Sequence, residues 1–352
     1  MALKTGTNDI SSLLATKNLS AVAFGMDTIA AVLAADNANY NAMVQQALSD
    51  LVAPTSDRQR VCGSSVGGDM MEADEYSRVP TQKDVPSYLM GFPLRKMQWA
   101  TGWTSQWIKK ATPADFAIKQ QAAQGADLRR LRYELTKALF TPTNSTFVDL
   151  NVDKASLSVK ALINADSSEI QNGPNGEVFD GASHTHYNAS ATLTAAAIQA
   201  LIDDVVEHGF GQVKVFINVA NEAAFRLLTG FVGYLDPRVS INANANQADK
   251  QRLDITRMDN RPIGIFGAAE VWVKPWIPAN YAAAADTSTA QKPLVMRTDS
   301  PDLGLHIEAQ LDTHPLHAQY FEHQYGFGAW NRLAAAVLEF DNGAYGAPTL
   351  TY

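Results

Sequence analysis

Apolar residues recur at helical spacing in three parts of the chain and at strand spacing in several others. Phe24, Ile29, Leu33, Tyr40, Val44 and Leu48, set among many alanines, predict a helix over 21–51 with an interruption near Asp36 to Asn39. Thr112-Pro113-Ala114-Asp115 is a strong helix start, because Thr can cap, Pro suits the first helical position and Asp complements the dipole. That helix should run to Phe140, ahead of Pro142, and span roughly 42 Å at 1.5 Å per residue. A third helix begins at Thr194, with Ile198, Leu201, Ile202 and Val205 on one stripe and Gly209 at its end. The run 213–218 (VKVFIN) reads as a buried strand, and Asn218 can cap a short helix carrying Ala224, Phe225, Leu227 and Leu228 up to Gly230. RPIGIFGAAEVWVKPWIP predicts two short strands around Gly267, and Leu303 to Tyr345 predicts further strands and the alanine-rich NRLAAAVLEF.

Between the first two helices the pattern changes. Residues 54–110 hold glycines, prolines and mixed charge, and two extended runs, Asp69 to Arg78 and Met90 to Thr101, flank a Pro-containing polar turn. They predict a long projecting hairpin, and since two strands alone are marginal in water it should lie on something else. Residues 1–20 are rich in Ser, Thr and Asn and read as an arm without a core of its own, to be held by a neighbouring subunit. There is no internal repeat, and elements of such unequal size give an α+β class in place of regular βαβ alternation.

Composition sharpens this. Of 352 residues 46% are hydrophobic and only 18% charged, a thin charged surface that leans towards assembly. The single cysteine, Cys62, rules out an internal disulfide. No stretch reaches the roughly 18 apolar residues of a membrane span, and MALKTGTNDISS lacks an apolar signal-peptide run, so synthesis in the cytoplasm is expected. A net charge of −8 argues against wholesale grip on nucleic acid, which needs clustered Lys and Arg.

Catalytic chemistry finds little support. Among the seven histidines, His184 and His186 stand apart from His306, His314, His317 and His323, which are interspersed with Glu308, Asp312 and Glu322. None shows the compact H-E-x-x-H spacing of a zinc hydrolase, and Pro315 breaks any helix that could align 314 with 317, so no metal site is expected. There is no G-x-S-x-G elbow and no phosphate-cradling loop ending in GK[ST]. No catalytic or cofactor-binding residue is assigned.

Contact chemistry is richer. Trp99, Trp103 and Trp107, four apart, suit either internal packing or intersubunit anchoring, with base stacking far behind. The long helix and its approach carry Lys109, Lys110, Lys119, Arg129, Arg130, Arg132 and Lys137 against Asp115, Asp127 and Glu134. That surplus could be a solvated face, or it could pair with Glu72, Asp74 and Glu75 on a neighbour's hairpin. Arg95 and Lys96, at the hairpin's end, complete the candidate contact set.

The order of these parts resembles the Hong Kong 97 fold of tailed-bacteriophage major capsid proteins: N-arm, E-loop hairpin, P-domain with a long spine helix, and A-domain. Three stretches carry the resemblance: DMMEADEYSRVPTQKDVPSYLMGFPLRKMQ followed by TPADFAIKQQAAQGADLRRLRYELTKALF; VKVFINVANEAAFRLL with RPIGIFGAAEVWVKPWIPAN; and LGLHIEAQLDTHPLHAQYFEHQYGFGAWNRLAAAVLEF. The resemblance covers roughly 20–345, and the segment 144–190, with extra strand-like and Gly/Asn-rich sequence, departs from the simplest layout as either a surface insertion or a contact loop. It implies an arm and helix over 1–52, an E-loop over 53–111, a spine helix and first strand over 112–150, an A-domain over 151–300, and a return to the P-domain with a C-terminal strand over 301–352.

The resemblance further implies a subunit that self-assembles into pentamers and hexamers of an icosahedral virion shell, made in a bacterial cytoplasm, enclosing double-stranded DNA without sequence-specific grip and without a membrane. A separate scaffolding protein, a portal and decoration proteins are the implied partners. With only about 50 residues ahead of the hairpin, no fused scaffold is expected. Some family members crosslink a hairpin lysine to an asparagine beside a glutamate; Lys83 or Lys96, Asn331 and Glu339 are of the right types, but an uncrosslinked shell is expected. Two rival readings are an encapsulin-like nanocompartment and, from another class, a soluble metalloenzyme using the histidine-rich C-terminal region.

Overall fold

The computed structural model describes residues 8–62, 70–76, 78–81, 88–150, 152–234, 261–299, 304–313 and 315–351. The chain opens with helices α1 (Ile10–Ala15), α2 (Ala21–Phe24) and α3 (Met26–Leu48). Strands β1 (Val52–Thr55), β2 (Gln59–Cys62), β3 (Tyr88–Gly91) and β4 (Arg95–Thr104) follow, then α4 (Ser105–Lys110) and the long α5 (Pro113–Phe140). Next come β5 (Ser145–Val148), β6 (Ser156–Val159), β7 (Tyr187–Ala189), α6 (Ala195–Val206), β8 (Val213–Ile217) and α7 (Glu222–Phe225). The strands β9 (Phe231–Gly233), β10 (Arg261–Phe266), β11 (Ala269–Val273), β12 (Tyr281–Asp286), β13 (Leu294–Thr298), β14 (His306–Thr313), β15 (Leu316–Ala329) and β16 (Ala335–Glu339) complete it.

Two expectations about the N-terminal region are corrected. The helix break falls at Gly25, whose φ of +112° suits glycine alone, and α3 then runs unbroken through Asp36 to Asn39. Tertiary partners hold those polar residues in the helix. Asp36 Oδ2 accepts from Gln120 Nε2 at 3.0 Å and Gln124 Nε2 at 2.8 Å, and Asn37 and Asn41 both donate to the Leu305 carbonyl. The arm is also not coreless. Leu13 on α1 is fully buried with Ile29, Val32, Phe116 and Ala117, so the described part of the arm packs within its own subunit. Residues 1–7 lie outside the described residues.

The hairpin exists at its base, where β2 and β3 pair antiparallel from Gln59↔Gly91 to Cys62↔Tyr88. Its two predicted runs are corrected as well. Residues 70–76 and 78 form no strand, Asp69 lies outside the described residues, and the second run splits at Phe92-Pro93-Leu94. Beyond that split β4 leaves the hairpin and pairs antiparallel with β15, from Arg95↔Tyr325 to Thr104↔Leu316. A ten-residue ladder with β15, inside a larger sheet, holds β4 better than a lone two-stranded ribbon could.

The long helix begins and ends where local chemistry dictates. Asp115 Oδ2 accepts from both the Thr112 backbone N–H at 2.8 Å and its hydroxyl at 2.9 Å, and Pro142 follows the helix end at Phe140. In α6, Thr194 caps, and Ile198, Leu201, Ile202 and Val205 are buried as their spacing requires.

Among the described residues the strands form two main sheets. One has the order β1-β13-β15-β14 with β4 on the other side of β15; the second runs β7-β16-β12-β8-β11-β10-β9. The alanine-rich segment 335–339 is thus a strand, flanked by β7 and β12 in the second sheet. Alternate residues of β12 and β16 feed different cores: Ala283, Ala285, Ala335 and Val337 join the α5 side with Phe140 and Phe216, while Ala282, Ala284, Ala336 and Leu338 join α6. Period-two alternation with small side chains lets one sheet be covered on both faces.

Candidate functional site

Four of the predicted contact residues meet in one place. Lys96, Trp99, Arg129 and Arg130 line a cleft of about 400 Å³ between α5 and β4, floored by Ala123, Phe321, Asp127 and His323. The acids near it are engaged inside the subunit. Asp127 Oδ1 lies 2.9 Å from His323 Nδ1, its Oδ2 accepts from the Tyr40 hydroxyl at 2.8 Å, and Glu134 pairs with Arg130 at 2.5 Å. Burial, reinforced by the Asp127 charge, holds the Tyr40 hydroxyl far above its ordinary value. Among the described residues, Arg129 and Arg132 are exposed and form no ion pair, so the outward face of α5 is positive.

The other candidates separate. Trp103 and Trp107 stack with Phe116 at centroid distances of 5.4 to 5.9 Å, and Lys119 sits 5.6 and 5.0 Å over the two indoles. They pack α4 onto α5 within one subunit. Trp99 alone of the three is exposed, at 39%. Arg95 is exposed with its guanidinium 5.5 Å over Phe147. Glu72, Asp74 and Glu75 are exposed on the segment between β2 and β3, beside Met70, Met71 and Tyr76, which are 103%, 56% and 92% exposed.

The three described crosslink candidates each have a partner in their own subunit. Lys96 Nζ lies 2.5 Å from Glu322 Oε2, Asn331 donates to the Gln291 carbonyl at 3.1 Å, and Glu339 accepts from the Gly346 N–H at 2.6 Å. Lys83 lies outside the described residues. Burial would raise the Glu322 carboxyl, but hydrogen bonds from Lys96, Gln324 and Gln98 outweigh it and hold the carboxyl below its ordinary value.

The C-terminal histidines do not converge. His306 lies 3.3 Å from Glu308, His317 is 2.6 Å from Asp312 and 2.8 Å from Ser105, and His323 faces Asp127; His314 lies outside the described residues. Convergence occurs elsewhere. The Nε2 atoms of His184, His186 and His208 stand 3.1 to 3.2 Å apart, with Glu207 Oε1 3.3 Å from His184 Nε2. Burial lowers all three imidazoles, His186 to about 3 and His208 to about 4, and raises the Glu207 carboxyl. The sequence signals were a His-x-His ahead of β7 and a Glu-His at the end of α6, neither informative until the fold joins them.

Comparison with known proteins fixes the architecture. No protein-family model and no curated protein matches the sequence. A chain from Mycobacterium phage Patience matches it in structure with a TM-score of 0.66 at 18% identity, covering 99% of this chain and 97% of that one. The chain has the Hong Kong 97 fold. The cleft lies between the long helix α5 and β4, the strand that follows the β2–β3 hairpin along the chain. Chains from the capsid of a native GTA particle and from the Cyanophage A-1(L) capsid match at 11% identity each, with TM-scores of 0.49 and 0.46, over 84% and 85% of this chain and 90% and 93% of theirs.

Proposed function

We propose that this chain is the major capsid protein of a tailed bacteriophage, a structural subunit whose product is a closed virion shell around double-stranded DNA. The observation that carries the reading is the Hong Kong 97 architecture shared with a phage chain along almost the whole length of both. The surface supports it. Met70, Met71 and Tyr76 leave apolar area uncovered on the E-loop, next to Glu72, Asp74 and Glu75, while the spine presents Arg129 and Arg130 at the Trp99 cleft and Arg132 on its exposed face. Exposed apolar area flanked by charge complementary to another face of the same molecule suits repeated contacts between copies. The acidic E-loop of one copy lies against the basic spine cleft of the next, and many such modest contacts around rotational axes hold pentamers and hexamers together.

The E-loop falls within 53–111, the spine within 112–150 and the A-domain within 151–300, with 144–190 as its insertion. The segment 301–352 supplies β14 and β15 to the first sheet and β16 to the second. A separate scaffolding protein, a portal and decoration proteins complete the assembly. With a net charge of −8 the wall does not grip DNA tightly.

Electron microscopy and mass measurement of the purified chain test this. Closed particles with fivefold and sixfold capsomers are expected. A monodisperse 38.1 kDa monomer at every concentration would overturn the reading, and particles filled with protein in place of DNA would make the shell a nanocompartment.

A further inference from the structure

The histidine cluster is built from elements other than the β2–β3 hairpin and α5. His184 and His186 come from the irregular chain leading into β7, the edge strand of the second sheet, and Glu207 and His208 close the last turn of α6 ahead of Gly209 at φ +88°. His186 is fully buried, His208 is 1% exposed at its side chain and His184 18%.

Three Nε2 atoms at the corners of a nearly equilateral triangle, 3.1 to 3.2 Å on a side, are poorly explained as hydrogen bonds among themselves. The His186 Nδ1 lies 2.8 Å from the Ala335 carbonyl, which can only accept, so Nδ1 carries that ring's proton and its Nε2 offers a lone pair to the triangle. Beside the triangle, Glu207 Oε1 is a buried carboxylate oxygen without a hydrogen-bond partner, 3.3 Å from His184 Nε2 and 3.9 Å from His208 Nε2. All four ligand atoms lie within 4.8 Å of one another.

These dimensions match a small tetrahedral cation. Nitrogens about 2.05 Å from a tetrahedral ion stand about 3.3 Å apart, within two tenths of an ångström of the separations found, and the ion would sit roughly 1 Å out of their plane on the carboxylate side. We propose that His184, His186, His208 and Glu207 bind one divalent transition-metal ion of the zinc class. Imidazole with one carboxylate suits zinc better than magnesium or calcium, which prefer all-oxygen shells. Four protein ligands close the shell, as in structural sites, so the ion is a clamp. It joins the end of α6 to the β7 edge and to the segment between β6 and β7, whose described residues contain little regular structure. The outer shell is partly in place: the Ala335 carbonyl fixes the His186 ring, and Phe179 packs on His184 and His208 at centroid distances of 4.9 and 4.3 Å.

The test uses the full chain, purified without an affinity tag that binds metal, and zinc as the probe. Elemental analysis after dialysis should find about one zinc per chain, a strong chelator should lower the melting temperature, and cobalt(II) reconstitution should give the intense visible bands of tetrahedral coordination. His184→Ala and Glu207→Gln, at the more exposed side of the cluster, should weaken zinc binding about tenfold or more while leaving a cooperative fold; His306→Ala should not change it. His186→Ala is a poorer test because the buried ring also holds the β7 edge. Absence of bound zinc after equilibration with an excess of the ion, a melting temperature indifferent to chelator, or zinc retained equally by a His184→Ala/Glu207→Gln double variant would overturn the site.

Discussion

The Nζ of Lys96 lies 2.5 Å from Oε2 of Glu322 across the β4–β15 ladder, so the lysine that follows the β2–β3 hairpin along the chain is already committed inside its own subunit. Glu322 is 1% exposed and also accepts from Gln98 at 2.8 Å and Gln324 at 2.6 Å. Replacing Lys96 with Met should lower the urea midpoint, because a buried carboxylate loses its only cation. Glu322→Gln should suppress that loss in the double variant, the signature of direct coupling in a double-mutant cycle. The same engagement argues against Lys96 as a crosslinking nucleophile. Assembled particles boiled in detergent with reductant should release a single band near 38 kDa, and a ladder of multimers would contradict this.

Arg297 and Asp149 form a pair 2.8 Å apart with side chains 5% and 0% exposed, and Arg297 also donates to the Phe92 carbonyl at 3.0 Å. This pair ties β13 to the chain after β5 and to the break between β3 and β4. Truncating Arg297 to Ala leaves the buried Asp149 with Arg58 alone, 3.3 Å away, and should cost up to about 3 kcal/mol in equilibrium unfolding. Arg297→Met with Asp149→Leu should recover much of it, since matched apolar groups avoid the desolvation cost.

Leu13 is fully buried although it sits in a polar, Ser/Thr-rich segment. Leu13→Ala should therefore destabilise the isolated subunit by about 2–4 kcal/mol, measured by chemical unfolding before any assembly. An arm serving only neighbouring subunits would leave that transition unmoved and affect assembly alone.

What was legible in the sequence was what local chemistry decides. Thr112, Pro113 and Asp115 specify the start of α5 without help from the rest of the chain, and Ile198, Leu201, Ile202 and Val205 declare the buried face of α6 by spacing. What was not legible depended on partners far along the chain. The run from Met90 to Thr101 reads as extended in any context, but only β15 decides that its second half joins the first sheet instead of the hairpin. Asp36 reads as a helix breaker until Gln120 and Gln124 donate to it. The histidine triangle was invisible for the same reason: His186 and His208 meet only because β7 and the end of α6 lie side by side.

Asp166 should give the fold part of its acid sensitivity. Burial would raise its carboxyl, but hydrogen bonds from Lys160 and Asn144, both at 2.7 Å, and the charge of Arg332 at 3.2 Å outweigh it and hold it well below its ordinary 3.8. A carboxyl depressed in the folded state contributes stability that is present above its unfolded value and lost as pH falls through its folded value. Wild-type protein should thus lose stability below about pH 4 faster than Asp166→Asn does. The stability gap between the two, measured by urea unfolding at stepped pH, should shrink as acid is added; a constant gap would assign the contribution to packing.

The spine cleft makes the sharpest prediction about assembly. Arg129 is exposed and unpaired among the described residues, so Arg129→Glu should leave subunit melting unchanged. If the acidic E-loop of a neighbouring copy sits there, the reversal places like charges together and should block shell formation. Added salt, which screens exposed charges, should partly relieve that repulsion. Reversal on the other side, Glu72→Arg or Glu75→Arg, should be equally damaging alone and should restore particles when combined with Arg129→Glu. Sedimentation and electron microscopy of the four combinations decide it: rescue by only the matched double variant assigns the cleft to the E-loop, whereas normal particles from Arg129→Glu alone would remove the cleft from the interface.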